Sequence, residues 1–125
     1  MTSLMQELRN RGVSPKKSLG QHFLIDKKIA HKIVQLANLE PEDCVVEIGP
    51  GMGVLTFLML PLVKRIIAVE VDQEMAEYLR ERGAGMPSLT VICRDALHCD
   101  FQGLAHEAGK KLKVVANLPY NCLLY

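Results

Sequence analysis

Cys44-Val45-Val46-Glu47-Ile48-Gly49-Pro50-Gly51-Met52-Gly53 sets a short apolar run directly before three alternating glycines. A run of that length ending in glycine reads as a buried strand rather than a helix. Glycines at that point let the backbone turn sharply and approach a ligand closely. They also expose amides beside a helix N-terminus, which suits a polar or anionic ligand. The helix predicted after this strand starts near Gly53 and runs to about Leu60, where Pro61 interrupts it.

The same alternation repeats on either side of this stretch. Arg65 to Val71, rich in Ile and Val, is a second predicted strand. Asp72 can cap a helix through Met75, Ala76 and Leu79 that Gly83 terminates. Ser88 to Cys93 is a third strand, Phe101 to Ala108 a weaker helix and Lys113 to Ala116 a fourth strand. Upstream, residues 1–12 form a short predicted helix, and residues 13–25, with Pro15, Ser18 and Gly20, an extended loop. Asp26 is a fair N-cap for a helix whose apolar stripe is Ile29, Ile33, Val34, Leu36 and Ala37, ending near Leu39. Glu40-Pro41-Glu42-Asp43 is a turn. Strands alternating with helices predict an α/β fold with a doubly wound parallel sheet.

Composition agrees with the class. The chain has 125 residues, 49% hydrophobic and 23% charged, which excludes disorder, collagen and coiled coil. The longest apolar run, Met52 to Val63, contains Pro61 and falls short of the ~20 residues of a membrane span. The first residues lack the charged-then-apolar pattern of a secretory leader, so a cytoplasmic protein is expected. Cys44, Cys93, Cys99 and Cys122 include no C-x-x-C pair, so neither zinc nor a redox dithiol is signalled and no metal is expected. Cys44 and Cys93 read as small buried hydrophobes. The net charge of +1 hides an asymmetry. Residues 1–32 carry seven basic and two acidic side chains, a net of +5, and the remainder carries −4. A basic arm on an acidic body suggests a polyanionic partner, with a solvated charged tail as the alternative.

The glycine spacing narrows the ligand. Dinucleotide sites use G-x-G-x-x-G, whose third glycine allows close helix–strand packing. Val54 stands in that position here, and the spacing is G-x-G-x-G. An adenosine-containing ligand without a pyrophosphate fits better. Glu70 ends the second strand about 20 residues beyond the glycines, where an acid can accept both ribose hydroxyls; taken alone, an ordinary strand-end acid is the alternative. Asp95, just past the third strand, could accept from the exocyclic amine of adenine; a plain turn residue is the alternative. After the fourth strand, Asn117 offers an amide acceptor and Pro119 fixes the direction of the Leu118 carbonyl. Tyr120 offers a face for stacking on a base.

Taken together, Leu19-Gly20-Gln21-His22-Phe23-Leu24, the glycine loop, Glu70, Asp95-Ala96-Leu97 and Asn117-Leu118-Pro119-Tyr120 resemble the KsgA-type ribosomal RNA adenine N6,N6-dimethyltransferases. The motifs stand in that family's order from about Ser18 to Tyr120. The resemblance implies a Rossmann-like class I methyltransferase fold with S-adenosyl-L-methionine as cofactor. The backbone around Gly49, Gly51 and Gly53 would hold its methionine part, Glu70 the ribose, and Asp95 with Ala96 the adenine. His22 and Leu24 would lie in a loop closing over the cofactor. The family commonly has Asn at the His22 position, and an imidazole can also donate a hydrogen bond. Asn117 would touch both cofactor and target base.

The implied reaction is dimethylation of adenine N6 in small-subunit ribosomal RNA, linked to ribosome biogenesis. Asn117, Leu118, Pro119 and Tyr120 would be its catalytic residues. The Asn117 side-chain oxygen and the Leu118 carbonyl would accept the two N6 hydrogens, freeing the nitrogen lone pair for an in-line displacement. Tyr120 would stack on a base taken out of its RNA stack. The basic arm would contact RNA phosphates through Arg9, Arg11, Lys16, Lys17, Lys27 and Lys28.

The family's members are about twice this long, with a seven-stranded sheet and a helical C-terminal domain. The expectation is therefore a basic arm and cofactor-closing loop at 1–25 and a partial cofactor-binding domain at 26–125, inactive by itself. A sheet order of 3-2-1-4 is expected, with the fourth strand an exposed edge prone to self-association. Large-subunit ribosomal RNA methyltransferases of the macrolide-resistance type share these motifs and are the first alternative. The second is a non-catalytic RNA-binding or ribosome-assembly factor, against which every cofactor position is filled. A nucleotide-dependent oxidoreductase is disfavoured by Val54 and the Asn-Leu-Pro-Tyr ending.

Overall fold

A computed structural model describes residues 27–109 and 111–116. The expectations for the arm at 1–25, for Asp26 and for Asn117 to Tyr120 fall outside these residues.

The elements follow in the order α1 (Lys27–Leu36), β1 (Cys44–Ile48), α2 (Val54–Met59), β2 (Arg65–Glu70), α3 (Gln73–Arg82), β3 (Leu89–Cys93), α4 (Phe101–Ala108) and β4 (Lys113–Ala116). All pairings are parallel, and the order is β3-β2-β1-β4, as expected. β1 and β2 occupy the middle and are almost wholly buried. This is why they read as continuous apolar runs rather than alternating ones.

Side-chain alternation divides the core between two faces of the sheet. Val45, Ile66 and Val115 pack with Ala30 of α1 and Leu55 and Met59 of α2. Cys44, Val46, Ile67 and Val69 face Phe101, Leu104 and Ala108 of α4 on the other side. Lys113 at the start of β4 makes a 2.8 Å ion pair with Asp43 and donates to the Asn38 carbonyl. That fastens the α1–β1 connection to the sheet's N-terminal edge, opposite the glycine loop.

Several boundaries and faces depart from expectation. α1 ends at Leu36, and Asn38 leaves the helix with φ 51°. Its buried face centres on Ala30, with Ile33, Val34 and Ala37 packed beside it, whereas Ile29 and Leu36 are exposed. Small Ala30 lets the helix approach α2 and the sheet closely, and that closeness sets the rotation. α2 ends at Met59, and Pro61 is absorbed in a 3₁₀ turn over Leu60–Leu62, where its missing N–H costs nothing. β2 stops at Glu70 and leaves Val71 exposed. Gly83 ends α3 at φ −91°, not in the left-handed region; a Cβ there would lie 2.5 Å from Leu89. Cys93, expected to be buried, is exposed at the end of an edge strand, while Cys44 is buried.

Candidate functional site

The loop after β1 depends on its glycines. Gly49, Gly51 and Gly53 have φ of 67°, 57° and 86°, in the left-handed region that side chains disfavour. At Gly53 space also matters, because a Cβ would meet the Phe57 ring at 2.7 Å and Leu79 at 2.8 Å. At Gly51 a Cβ would meet nothing within 4 Å, so the chain there borders open space.

The amides expected to face a ligand turn inward instead. Gly49 donates to the Val69 carbonyl at 3.0 Å and Gly53 to the Pro50 carbonyl at 2.9 Å. Gly51 donates to Glu70 Oε1 at 3.0 Å. The Gly49 and Gly51 carbonyls take no hydrogen bond from the described residues. The loop thus offers two open acceptors, which suit an ammonium group.

Glu70 is the hinge of the site. Its Oε2 accepts from the Asp72 amide at 2.8 Å, so one carboxylate joins the glycine loop to the start of α3. Burial raises its pKa, and the Asp72 and Gly51 amides pull against that rise. Asp72 caps α3, accepting from the Glu74 and Met75 amides at 2.9 and 3.3 Å. β2 pairs with β3 so that Glu70 stands opposite Cys93, and the Arg94 amide continues the ladder to the Glu70 carbonyl. Asp95 therefore sits just beyond Glu70 on the same edge. It is exposed and accepts from the Leu97 amide at 2.9 Å, capping a 3₁₀ turn over Ala96–His98. Exposed Val71 and Leu97 stand one and two residues beyond these carboxylates.

Of the expected site residues, Gly49, Gly51, Gly53, Glu70, Asp95 and Ala96 converge on the C-terminal edge of the sheet. Open α/β sheets bind ligands at that edge. Lys27 and Lys28 are exposed on α1. His22, Leu24, Asn117, Leu118, Pro119, Tyr120, Arg9, Arg11, Lys16 and Lys17 lie outside the described residues. Among the described residues no cluster of His, Cys, Asp or Glu could hold a metal, and no helix is long and apolar enough to cross a membrane.

Sequence reasoning gave no role to Glu47, the one acid in an otherwise apolar strand. It has no exposed surface. The Thr56 hydroxyl donates to its Oε1, and its Oε2 has no partner. Burial, with a lesser contribution from the charge of Glu70, pushes this carboxyl up to about 8, against the lowering effect of Thr56. A charged group in a buried strand was the available signal, since burying one is costly.

The pieces fit an adenosine-bearing amino acid ligand. Two carboxylates with adjoining exposed apolar side chains suit a nucleoside, and two open carbonyls beside an uncrowded glycine suit an ammonium.

The ribosomal RNA adenine dimethylase family matches residues 12–123. The ribosomal RNA small subunit methyltransferase A of Magnetococcus marinus is 45% identical over 114 residues, which is 91% of this chain and 41% of that protein. The chain thus spans about two fifths of the length of the curated relatives it matches. A dimethyladenosine transferase from Plasmodium falciparum superposes with a TM-score of 0.65 at 32% identity, covering 78% of this chain and 34% of that one. The 23S ribosomal RNA methyltransferase ErmE gives a TM-score of 0.59 at 35% identity, covering 62% and 32%.

Proposed function

The chain belongs to the ribosomal RNA adenine dimethylase family, and we propose that it forms the cofactor-holding part of an S-adenosylmethionine-dependent enzyme that dimethylates adenine N6 in small-subunit ribosomal RNA. The observation that carries this reading is Glu70. Its carboxylate stands at the C-terminal edge of β2, buried against the glycine loop and beside Asp95.

S-adenosylmethionine, when bound, supplies a sulfonium methyl group with a neutral thioether as leaving group. The chain's residues hold and orient the two partners. Glu70 Oε1 accepts the Gly51 amide and Oε2 the Asp72 amide, and the lone pairs left on the carboxylate accept the ribose hydroxyls. Asp95 accepts from the adenine amine, with Ala96, Val71 and Leu97 giving the ring apolar surface. The Gly49 and Gly51 carbonyls take the ammonium of the methionine part. His22 and Leu24 close over it. The Asn117 side-chain oxygen and the Leu118 carbonyl accept the two hydrogens of the target N6, Pro119 holds that carbonyl's direction, and Tyr120 stacks on the flipped base. Arg9, Arg11, Lys16, Lys17, Lys27 and Lys28 bind RNA phosphates, and the protein works in the cytoplasm on the small subunit. The outer side of β4, which carries exposed Val114, is a surface for self-association. Sedimentation as a monomer at every concentration would refute that last point.

Two measurements test the reading. Calorimetric titration should show S-adenosylmethionine binding to the wild type and at least tenfold weaker binding to Glu70→Ala; equal affinities would overturn it. Labelled methyl transfer to immature small subunits by a preparation active with wild-type sequence should disappear with Asn117→Ala. The likeness to ErmE keeps large-subunit RNA as a second reading. Mapping the methylated adenines separates the two.

A further inference from the structure

The glycine loop is held from two sides, and the second hold lies outside every motif. Arg82 is the last residue of α3, 30 positions from Met52 in sequence, yet its Nη1 donates to the Met52 carbonyl at 3.3 Å. The same nitrogen donates to the Tyr78 hydroxyl at 3.4 Å. The guanidinium lies over the Phe57 ring, 4.4 Å from its centre. Met52 and Tyr78 are buried and Arg82 is half-buried, so these bonds are partly shielded from water. Phe57 is also the side chain whose ring closes against Gly53. One planar cation therefore joins α3, α2 and the loop between β1 and α2.

The consequence concerns the segment Gly51-Met52. Its N–H, at Gly51, is held by Glu70 from β2, and its C=O, at Met52, by Arg82 from α3. Between those points lies the Gly51 α-carbon at φ 57°, where an added Cβ would meet nothing within 4 Å. A glycine in open space is the most mobile link in a chain, so fixing both ends of its segment orients the peptide planes on either side. Arginine suits this task better than lysine because its flat, delocalised cation stacks and donates at once.

We propose that Arg82 is a positioning residue for the cofactor: it holds the Met52 carbonyl toward α3 and so keeps the Gly51 carbonyl in place for the ligand. This rests on the reading of the loop as the S-adenosylmethionine site. Arg82→Met keeps an unbranched stem against Phe57 while removing charge and donors. Arg82→Lys keeps a charge and a donor without the planar stack.

The test is amide hydrogen exchange of the ligand-free chain together with calorimetric titration of S-adenosylmethionine. In Arg82→Met, exchange across residues 51–53 should rise about tenfold while amides of β1 and β2 keep their wild-type protection. Affinity should fall about tenfold, in keeping with loss of a hydrogen bond from a charged group. Arg82→Lys should fall between the two in both measurements. Unchanged loop exchange in Arg82→Met overturns the proposal, as does a loosened loop with wild-type affinity. Should Arg82→Met fail to fold, wild-type exchange and affinity in Arg82→Lys overturn it equally. If exchange rises as expected but the wild type binds no S-adenosylmethionine, the clamp stands and the cofactor reading fails.

Discussion

Glu47 carries the sharpest energetic consequence of any single residue. Its carboxyl must be largely neutral at pH 7 in the folded chain, because burial lifts it from 4.5 to about 8. In the unfolded chain it is ionised above 4.5, so folding near neutrality takes up a proton. The group opposes folding by about 1.4 kcal/mol per pH unit between those two values and by a constant amount above the upper one. Raising pH through this window lowers stability, and Glu70, whose pKa is also raised, acts in the same direction. Glu47→Gln keeps the shape and removes the titration. Its chemical-denaturation midpoint should exceed the wild type's at pH 8 by more than at pH 5; a gap that does not widen with pH refutes the account. The loop glycines give a second comparison. Gly53→Ala forces a left-handed alanine against a Phe57 ring pinned beneath Arg82, and should cost about 2–4 kcal/mol. Gly51→Ala meets open space and should cost only the backbone strain, about 1–2 kcal/mol. Equal losses in urea melts would show that the ring moves aside freely.

The helices owe their ends to acids and glycines. Asp72 accepts two amides at the start of α3 and Asp100 accepts the Gly103 amide at the start of α4. Replacing Asp72 with Ala should cost about 1 kcal/mol, read as a lower denaturation midpoint with an unchanged slope. An unaltered midpoint would mean that water substitutes for the cap. Such local chemistry explains what was legible in the sequence. α3 and α4 carry their caps in the chain itself, and the four strands and their order follow from apolar runs separated by crossovers. α1 shows the limit. Its periodicity identified a helix, but which face turns inward depended on how closely Ala30 approaches α2, and so Ile29 and Leu36 came out exposed. The site divides in the same way. Glu70 and Asp95 stood out as candidates because one ends β2 and the other lies two residues past the end of β3. Arg82 acts on a carbonyl 30 residues away, and no spacing rule joins a helix C-terminus to the glycine loop. The loop's amides were misread for a related reason. Glycine spacing announces a turn but not whether its N–H groups face ligand or protein, and here β2 supplied acceptors for two of them.

At the scale of the whole molecule, the uneven charge is what the proposed substrate would feel first. Residues 1–32 carry a net +5 and the remainder −4. α1 holds Lys27, Lys28 and Lys32 on exposed positions and has no acidic residue along its length. Its C-terminal end is fastened near the sheet's N-terminal edge through Asn38 and Lys113, so Lys27 and Lys28 stand at the helix's other end. A polyanion meeting this arm and helix releases counterions, and the release is read as the slope of log affinity against log salt. Lys27→Gln with Lys28→Gln should reduce that slope by about 0.7–0.9 for each phosphate left unneutralised, and should weaken different RNA sequences by similar factors, since binding to phosphate carries no base information. Extending the change to Lys16 and Lys17 should lower the slope further while leaving S-adenosylmethionine affinity intact, because the glycine loop and Glu70 take their order from β1, β2 and α3. An unchanged slope in the fourfold variant would remove the basic arm from RNA recognition. A slope that falls together with cofactor affinity would mean that the arm braces the site instead of the substrate.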